Sequence, residues 1–192
     1  MQKPESSIHP SKVQVHDLTF DLLIHEREIH QRVAELGQLL NEAYVGERPL
    51  FVVVLNGSFL FAADLVRHLE MNPEVQFVAL ASYGNLLESS GEVKIQYGHH
   101  LDVKDRHVIL VEDIVDSGKT MDMYREQLRL ENPASLRLVS LLFKPDSYLG
   151  QEPPDWIGFE IPPAFVVGYG MDYAQHGREL RSIYHLVEAS ES

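Results

Sequence analysis

Residues 107–121, HVILVEDIVDSGKTM, constrain the fold more than any other stretch of this chain. His107 to Val111 is an apolar, β-branched run of the kind that forms a buried strand, and Gly118 soon leads into helical spacing. A strand, a tight turn and a helix start are therefore expected. Two adjacent acids, Glu112 and Asp113, stand where this strand should end, and the turn reads Asp116-Ser117-Gly118-Lys119-Thr120. Backbone N–H groups of such a turn, with those opening the helix, form a pocket for a phosphate. Small and hydroxyl-bearing residues let the backbone come close and add donors of their own. Carboxylates beside an anion site make sense if the phosphate is carried on a sugar, whose hydroxyls donate to acidic oxygens. A nucleotide P-loop is the competing pattern, since Gly118-Lys119-Thr120 matches its end. Its first glycine would fall at position 113, which is Asp113, and an acid there would repel a triphosphate.

Residues 108–121 resemble the 5-phosphoribosyl-1-pyrophosphate motif of the type I phosphoribosyltransferases. The resemblance implies an α/β fold with a central, mainly parallel sheet flanked by helices, and a small hood formed by the N- and C-terminal segments. It also implies that Glu112 and Asp113 hold the ribose, while Asp116, Ser117, Gly118, Lys119 and Thr120 hold the 5′-phosphate.

The rest of the chain suits one such domain. Its 192 residues can bury one substantial core, and 44% hydrophobic with 23% charged residues is an ordinary globular composition. No apolar run approaches the length of a membrane span and no secretory signal is visible, so a cytoplasmic protein is expected. Cysteine is absent, which removes disulfides, thiolate metal sites and a cysteine nucleophile. The net charge of −13 argues against general nucleic-acid binding, and an anionic substrate would need a locally positive pocket or a divalent metal. A regulator that keeps this fold but binds nucleic acid would show a broad basic face, which is not evident.

In chain order, residues 1–16 are polar with two prolines and read as a flexible tail, leaving 17–192 as a single domain. Leu18 to Ile24 alternates as a strand, and His25 to Tyr44 has helical spacing. His25-Glu26 with His30 mimics a zinc helix, but the histidines are five apart where that motif needs four, and surface histidines are expected. Leu50 to Leu55 reads as a strand buried on both faces, turning through Asn56-Gly57-Ser58 into a helix with Ala62, Leu65, Val66 and Leu69. That turn is either a connection or a second anion site. Val75 to Ala81 is another strand, Ser82 to Glu92 a glycine-bearing loop, and Val93 to Tyr97 extended again. After the central motif, a helix runs to Asn132-Pro133, and the strand Leu136 to Phe143 ends at Lys144. Strand ends on this edge of an α/β sheet carry ligands. Phe165-Val166-Val167 leads into Gly168-Tyr169-Gly170-Met171-Asp172-Tyr173, with Arg178 beyond.

These segments extend the resemblance from about residue 16 to residue 187, into the hypoxanthine-guanine branch of the family. It implies transfer of 5-phosphoribosyl from phosphoribosyl pyrophosphate to N9 of a 6-oxopurine, releasing pyrophosphate, with Mg²⁺ as cofactor and a homodimer or homotetramer as the assembly. Asn56, Gly57 and Arg178 match the pyrophosphate-binding positions, although the family commonly has Lys or Arg where Asn56 stands. The family's non-proline cis peptide would fall at Leu55-Asn56. Ser82 and Tyr83 match the lid. Lys144, Phe165, Val166 and Asp172 match the base site, Lys144 donating to the 6-oxo group and Phe165 stacking on the ring. Asp172, with Glu112 and Asp113, matches the metal positions. Asp116 matches the catalytic group at purine N7; as an acceptor at that spot it could equally cap the following helix.

Overall fold

In a computed structural model of the chain, the structure describes residues 10–81, 94–97 and 101–187. The first strand, β1 (Lys12–Val15), lies inside the stretch expected to be a tail. It forms because β2 (Leu18–Ile24) offers it an antiparallel edge, with Val13 opposite Phe20 and Val15 opposite Leu18. Helix α1 (Glu26–Ala43) follows directly. His25 is its N-cap: Nδ1 accepts from the Arg27 N–H, and Glu28 returns a bond to the His25 N–H, a complete capping box. Its stripe of Ile29, Val33, Leu36 and Leu40 is fully buried.

The large sheet is built from β3 (Leu50–Leu55), β4 (Glu74–Ala81), β5 (Lys94–Tyr97), β6 (His107–Val115), β7 (Ser135–Phe143) and β8 (Trp156–Glu160), in the order β5-β4-β3-β6-β7-β8. All pairings are parallel except β4 with β5. Between these strands lie α2 (Phe59–Val66) and α3 (Lys119–Arg129). Alternate residues of the central strands feed two cores. Phe51, Val53, Ile109 and Val111 pack with α1 and α2, whereas Leu50, Val52, Val54, Val108 and Leu110 pack with Met121, Tyr124 and Leu128 of α3. Burial of both faces explains the unbroken apolar run at β3.

β6 continues four residues past Val111, so Glu112 and Asp113 lie within the strand and not at its end. β3 stops pairing with it at Val53–Val111, while β7 pairs on through Glu112–Ser140 to Val115–Phe143. The acids therefore occupy strand with one side open. α2 ends at Val66, before Leu69, and α3 at Arg129, where Leu130 and a left-handed Asn132 lead to Pro133.

A second sheet combines both ends of the chain, as the hood requires. Its order is β1-β2-β10-β9, with β9 (Val166–Val167) and β10 (Ile183–Leu186) antiparallel throughout. Val15, Phe20, Val167 and Tyr184 form its small core. Asp155 ties α3 to the β7–β8 side: it accepts from the Leu138 N–H at 2.8 Å and pairs with Arg137 at 2.6 Å and the buried Arg125 at 3.3 Å.

Candidate active site

Two cavities meet along the open end of β6. The first, of about 330 Å³, is lined by Asn56, Gly57, Asp113, Asp116, Lys144, Phe165, Val166, Asp172 and Arg178, together with Ile114 and Met171. The second, of about 270 Å³, is lined by Glu112, Asp116, Ser117, Gly118 and Thr120, and again by Ile114. Neighbouring residues of a strand face opposite ways, so Glu112 and Asp113 serve different cavities. Lys119 lines neither; its side chain is exposed at the first turn of α3. Ser82 and Tyr83 lie outside the described residues.

The turn after β6 reaches α3 through Gly118, the N-cap, at φ +77°. A Cβ there would lie 2.3 Å from the Tyr148 ring, and the Leu149 N–H bonds to the Ser117 carbonyl at 3.1 Å. The turn is thus held from behind while its front faces the second cavity. No side chain caps the helix, and Asp116 points elsewhere: its Oδ2 accepts from Lys144 Nζ at 2.6 Å. Lys144 is 7% exposed, placed by β7 and by its N–H bond to the Val115 carbonyl. The Asp116 side chain is 52% exposed toward the opening.

The carboxyls of Glu112 and Asp113 are held above their ordinary range. Burial raises Glu112 most, with the neighbouring Asp113 charge and a hydrogen bond to it adding to the effect. Burial also raises Asp113, partly offset by the bond from Glu112 and by backbone N–H groups. The Oε2 of Glu112 is buried without a partner. An orphaned buried acceptor is costly unless a ligand satisfies it.

Leu55-Asn56 is a cis peptide, as the resemblance implied. Gly57 then passes so close to β6 that a Cβ would fall 1.7 Å from Asp113 Oδ2. α2 starts next, with no side-chain cap at Ser58. Asn56 brings no charge, and Arg178 lines the same cavity: its guanidinium bonds to the Gly170 carbonyl at 2.7 Å and pairs with Asp172 Oδ1 at 2.7 Å. Asp172 Oδ2 accepts from the Gln175 N–H at 2.8 Å. Phe165 leaves 46% of its surface exposed while packing near Phe20 and Tyr173, with ring centroids 6.2 and 5.9 Å away. An aromatic ring supported from behind and open in front is a stacking platform.

Ile114 and Met171 were not marked by sequence reasoning. Met171 sits between motif glycines and an acid, and its signal is only that position; Ile114 looks like core.

The chain matches the family profile of the phosphoribosyl transferase domain over residues 23–174. It is 42% identical over 170 residues to the hypoxanthine phosphoribosyltransferase of Haemophilus influenzae, covering 87% of this chain and 95% of that protein. It is likewise 42% identical over 165 residues to the hypoxanthine-guanine phosphoribosyltransferase of Bacillus subtilis, covering 86% and 91%. A crystal structure of a hypoxanthine-guanine phosphoribosyltransferase from Bacillus anthracis matches with a TM-score of 0.83 at 35% identity, covering 91% of this chain and 100% of that one. A mainly parallel sheet under a hood of both chain ends, with the first cavity between them, is the type I architecture, and the chain belongs to the phosphoribosyl transferase family.

Proposed function

We propose that the protein is a purine-salvage enzyme that transfers 5-phosphoribosyl from phosphoribosyl pyrophosphate to N9 of hypoxanthine, and of guanine, giving the nucleoside monophosphate and pyrophosphate. The observation that carries this reading is the Lys144–Asp116 pair at 2.6 Å beside the open face of Phe165. A 6-oxopurine stacked on Phe165 presents an acceptor oxygen and N7 on one edge, the complement of one donor and one acceptor side by side. Adenine has a donor amine where Lys144 needs an acceptor, and a buried ammonium left facing it would be penalised.

In the reaction the bond from ribose C1′ to pyrophosphate breaks, its electron pair leaving with pyrophosphate, and a bond from purine N9 to C1′ forms. Positive charge develops on the ring as the leaving group departs, as in other substitutions at an anomeric carbon. Asp116 accepts the proton at N7 as the base attacks, and its half-exposed position suits a group that takes up and releases protons. Asp113 and Glu112 orient the ribose hydroxyls. The backbone of residues 116–120, with the Ser117 and Thr120 hydroxyls, holds the 5′-phosphate, Lys119 contributing through its main chain. Asn56, Gly57 and Arg178 hold the pyrophosphate, Arg178 supplying the charge that Asn56 lacks. Val166 adds main-chain contacts to the base edge.

Magnesium is the cofactor this reading includes. Among the described residues no three His, Cys, Asp or Glu side chains converge into a cage. Glu112, with its orphaned oxygen, and Asp113 do offer two carboxylates at the cavities, the donor set of an ion that keeps its other positions for water and substrate oxygens. These residues fit, and Asp172, whose oxygens accept from Arg178 and the Gln175 N–H, would add a third acid to the same cavity as Asp113. When bound, the ion neutralises charge on the leaving pyrophosphate. A homodimer or homotetramer is part of the same proposal, to be read by light scattering. No helix among the described residues is long and apolar enough to cross a membrane.

The test is an ultraviolet assay with phosphoribosyl pyrophosphate and Mg²⁺, offering hypoxanthine, guanine, xanthine and adenine separately. Monophosphate formation from oxopurines, absent with adenine and abolished by chelator, is expected. Equal rates with adenine would refute the role given to Lys144.

A further inference from the structure

The mechanism leaves one strained, buried group unused. Tyr169 lies at φ +48° with 4% of its surface exposed, between Gly168 and Gly170 at φ +100° and +101°. A bulky residue in the left-handed region costs about 1 kcal/mol or more and persists only where its surroundings over-determine it. Those surroundings are specific. Its N–H bonds to the Leu180 carbonyl at 2.7 Å, and its hydroxyl reaches α2, donating to Asp64 Oδ2 at 2.6 Å. Burial, and the Asp64 carboxylate next, push the phenol up, so it remains a donor at any physiological pH.

Asp64 belongs to the helix that begins right after Asn56-Gly57-Ser58, and Tyr169 to the turn that carries Met171 and Asp172. The two segments already touch: a Cβ on Gly170 would fall 2.1 Å from the Gly57 carbonyl. Arg178, bonded to the Gly170 carbonyl, rides on the same turn. The wall of the first cavity that joins Asn56-Gly57 to Asp172-Arg178 is therefore held by a close backbone contact and a hydrogen bond, added to the packing of Tyr169 and Met171 in the core that holds Phe61, Ala62 and Leu65 of α2. The base side, by contrast, is held by β9 and β10 and by β7.

We infer that Tyr169 is a positioning residue for the pyrophosphate end of the site, its bond to Asp64 locking the Gly168–Asp172 turn and Arg178 against the Asn56-Gly57 loop. The inference rests on the phosphoribosyl-transfer reading but assigns Tyr169 and Asp64 no contact with substrate. His30 Nε2 lies 3.8 Å from the same Asp64 Oδ2, and His30 and Arg67 line a neighbouring cavity with Asp64, so the closer bond from Tyr169 is the one tested.

The experiment uses the full chain and compares Tyr169→Phe, Asp64→Ala, Asp64→Asn and the Tyr169→Phe/Asp64→Ala pair. Binding of magnesium pyrophosphate is measured by calorimetry, and steady-state KM is measured for both substrates. Loss of a hydrogen bond to a charged acceptor predicts about tenfold weaker pyrophosphate binding and about a tenfold higher KM for phosphoribosyl pyrophosphate, with the KM for hypoxanthine within about twofold. The double variant should be no worse than either single one, and Asp64→Asn, which keeps an acceptor, should recover most of the loss. Unchanged pyrophosphate affinity in Tyr169→Phe, equal rises in both KM values, or additive losses would overturn the inference, since a merely structural bond would lower the melting temperature without this split. Asp64 lies on the surface of α2, so its variants test the bond even if Tyr169→Phe folds poorly. A wild-type protein that binds pyrophosphate but forms no nucleotide would sink the functional reading, while the binding comparison would still decide this one.

Discussion

Replacing Lys144 by methionine separates recognition of the base from everything else the site does. Methionine keeps an unbranched apolar stem where the lysine chain is buried and removes only the ammonium. Its partner Asp116 is about half exposed, so water replaces the lost ion pair. An exposed pair is worth under about 1 kcal/mol, and relieving a largely buried ammonium offsets part of that, so the melting temperature should barely move. The loss falls on the ligand. A charge-assisted bond to the 6-oxo group is worth about 1.5–3 kcal/mol, which is roughly 10- to 100-fold in the KM for hypoxanthine. The KM for phosphoribosyl pyrophosphate should stay within about threefold, because Lys144 touches none of the residues assigned to phosphate or pyrophosphate apart from Asp116. Discrimination against adenine should fall by the same factor as the hypoxanthine KM rises. Steady-state ultraviolet kinetics with each substrate varied in turn give all three numbers. A rise of equal size for both substrates, or unchanged discrimination against adenine, would refute the assignment of Lys144 to the base.

Asp116→Asn should lower kcat by roughly 100-fold or more with little change in either KM, in a stopped or continuous assay of the folded variant; unchanged turnover would remove its role as proton acceptor. Glu112→Gln should stabilise the ligand-free protein at neutral pH while impairing activity. The raised folded-state carboxyl favours folding below its unfolded value of about 4.5, and that contribution is lost as pH rises through the folded value. Thermal melts between about pH 5 and 8 should therefore show a decline with pH that the variant flattens; parallel curves would contradict the burial argument. Asp155→Ala should cost about 3–5 kcal/mol, because it leaves the buried Arg125 without its ion pair, and denaturant titration would show it. A loss below about 1 kcal/mol would mean that Arg137 and the Leu138 N–H, not Arg125, set the value of this hub.

Much of this was legible in the chain, for physical reasons that differ by element. β3 reads to the residue because both its faces are buried and its ends are marked by Pro49 and Asn56-Gly57. α1 reads because its apolar stripe is strictly periodic, and its histidine start, a mimic of a metal motif, is a cap. β1 was missed because it is short, KVQV within a polar, proline-bearing stretch, and gains strand structure only from an edge supplied by β2. The length of β6 was misjudged because acids resemble a terminus, whereas pairing with β7 alone carries the strand past them. In the site, the residues that present chemistry were visible as motifs, and the structure brings Asn56, Gly57, Asp113, Asp116, Lys144, Phe165, Val166, Asp172 and Arg178 to one cavity. What no local pattern carries is the pairing of side chains across long separations. The Lys144–Asp116 and Tyr169–Asp64 bonds join residues whose meeting depends on the sheet order.

The three α-helices among the described residues differ in how they begin. α1, away from the cavities, is closed by its own His25–Glu28 box and has acids in its first turn. α2 and α3, which start at the cavities, have no side-chain cap, and α3 opens on Lys119, the wrong sign for a helix start, with Asp122 the one acid of its first turn. The polypeptide is thus complete where it serves only itself and unfinished where it meets its substrate. On the proposed reading, phosphate and pyrophosphate bound at those two starts would act as the missing N-caps, the ligand in this sense preceding the first residue of each helix. Affinity for the sugar phosphate and integrity of the sheet's open edge then become one quantity, and a sequence tuned to fold best without ligand would close both helices and shut out its substrate.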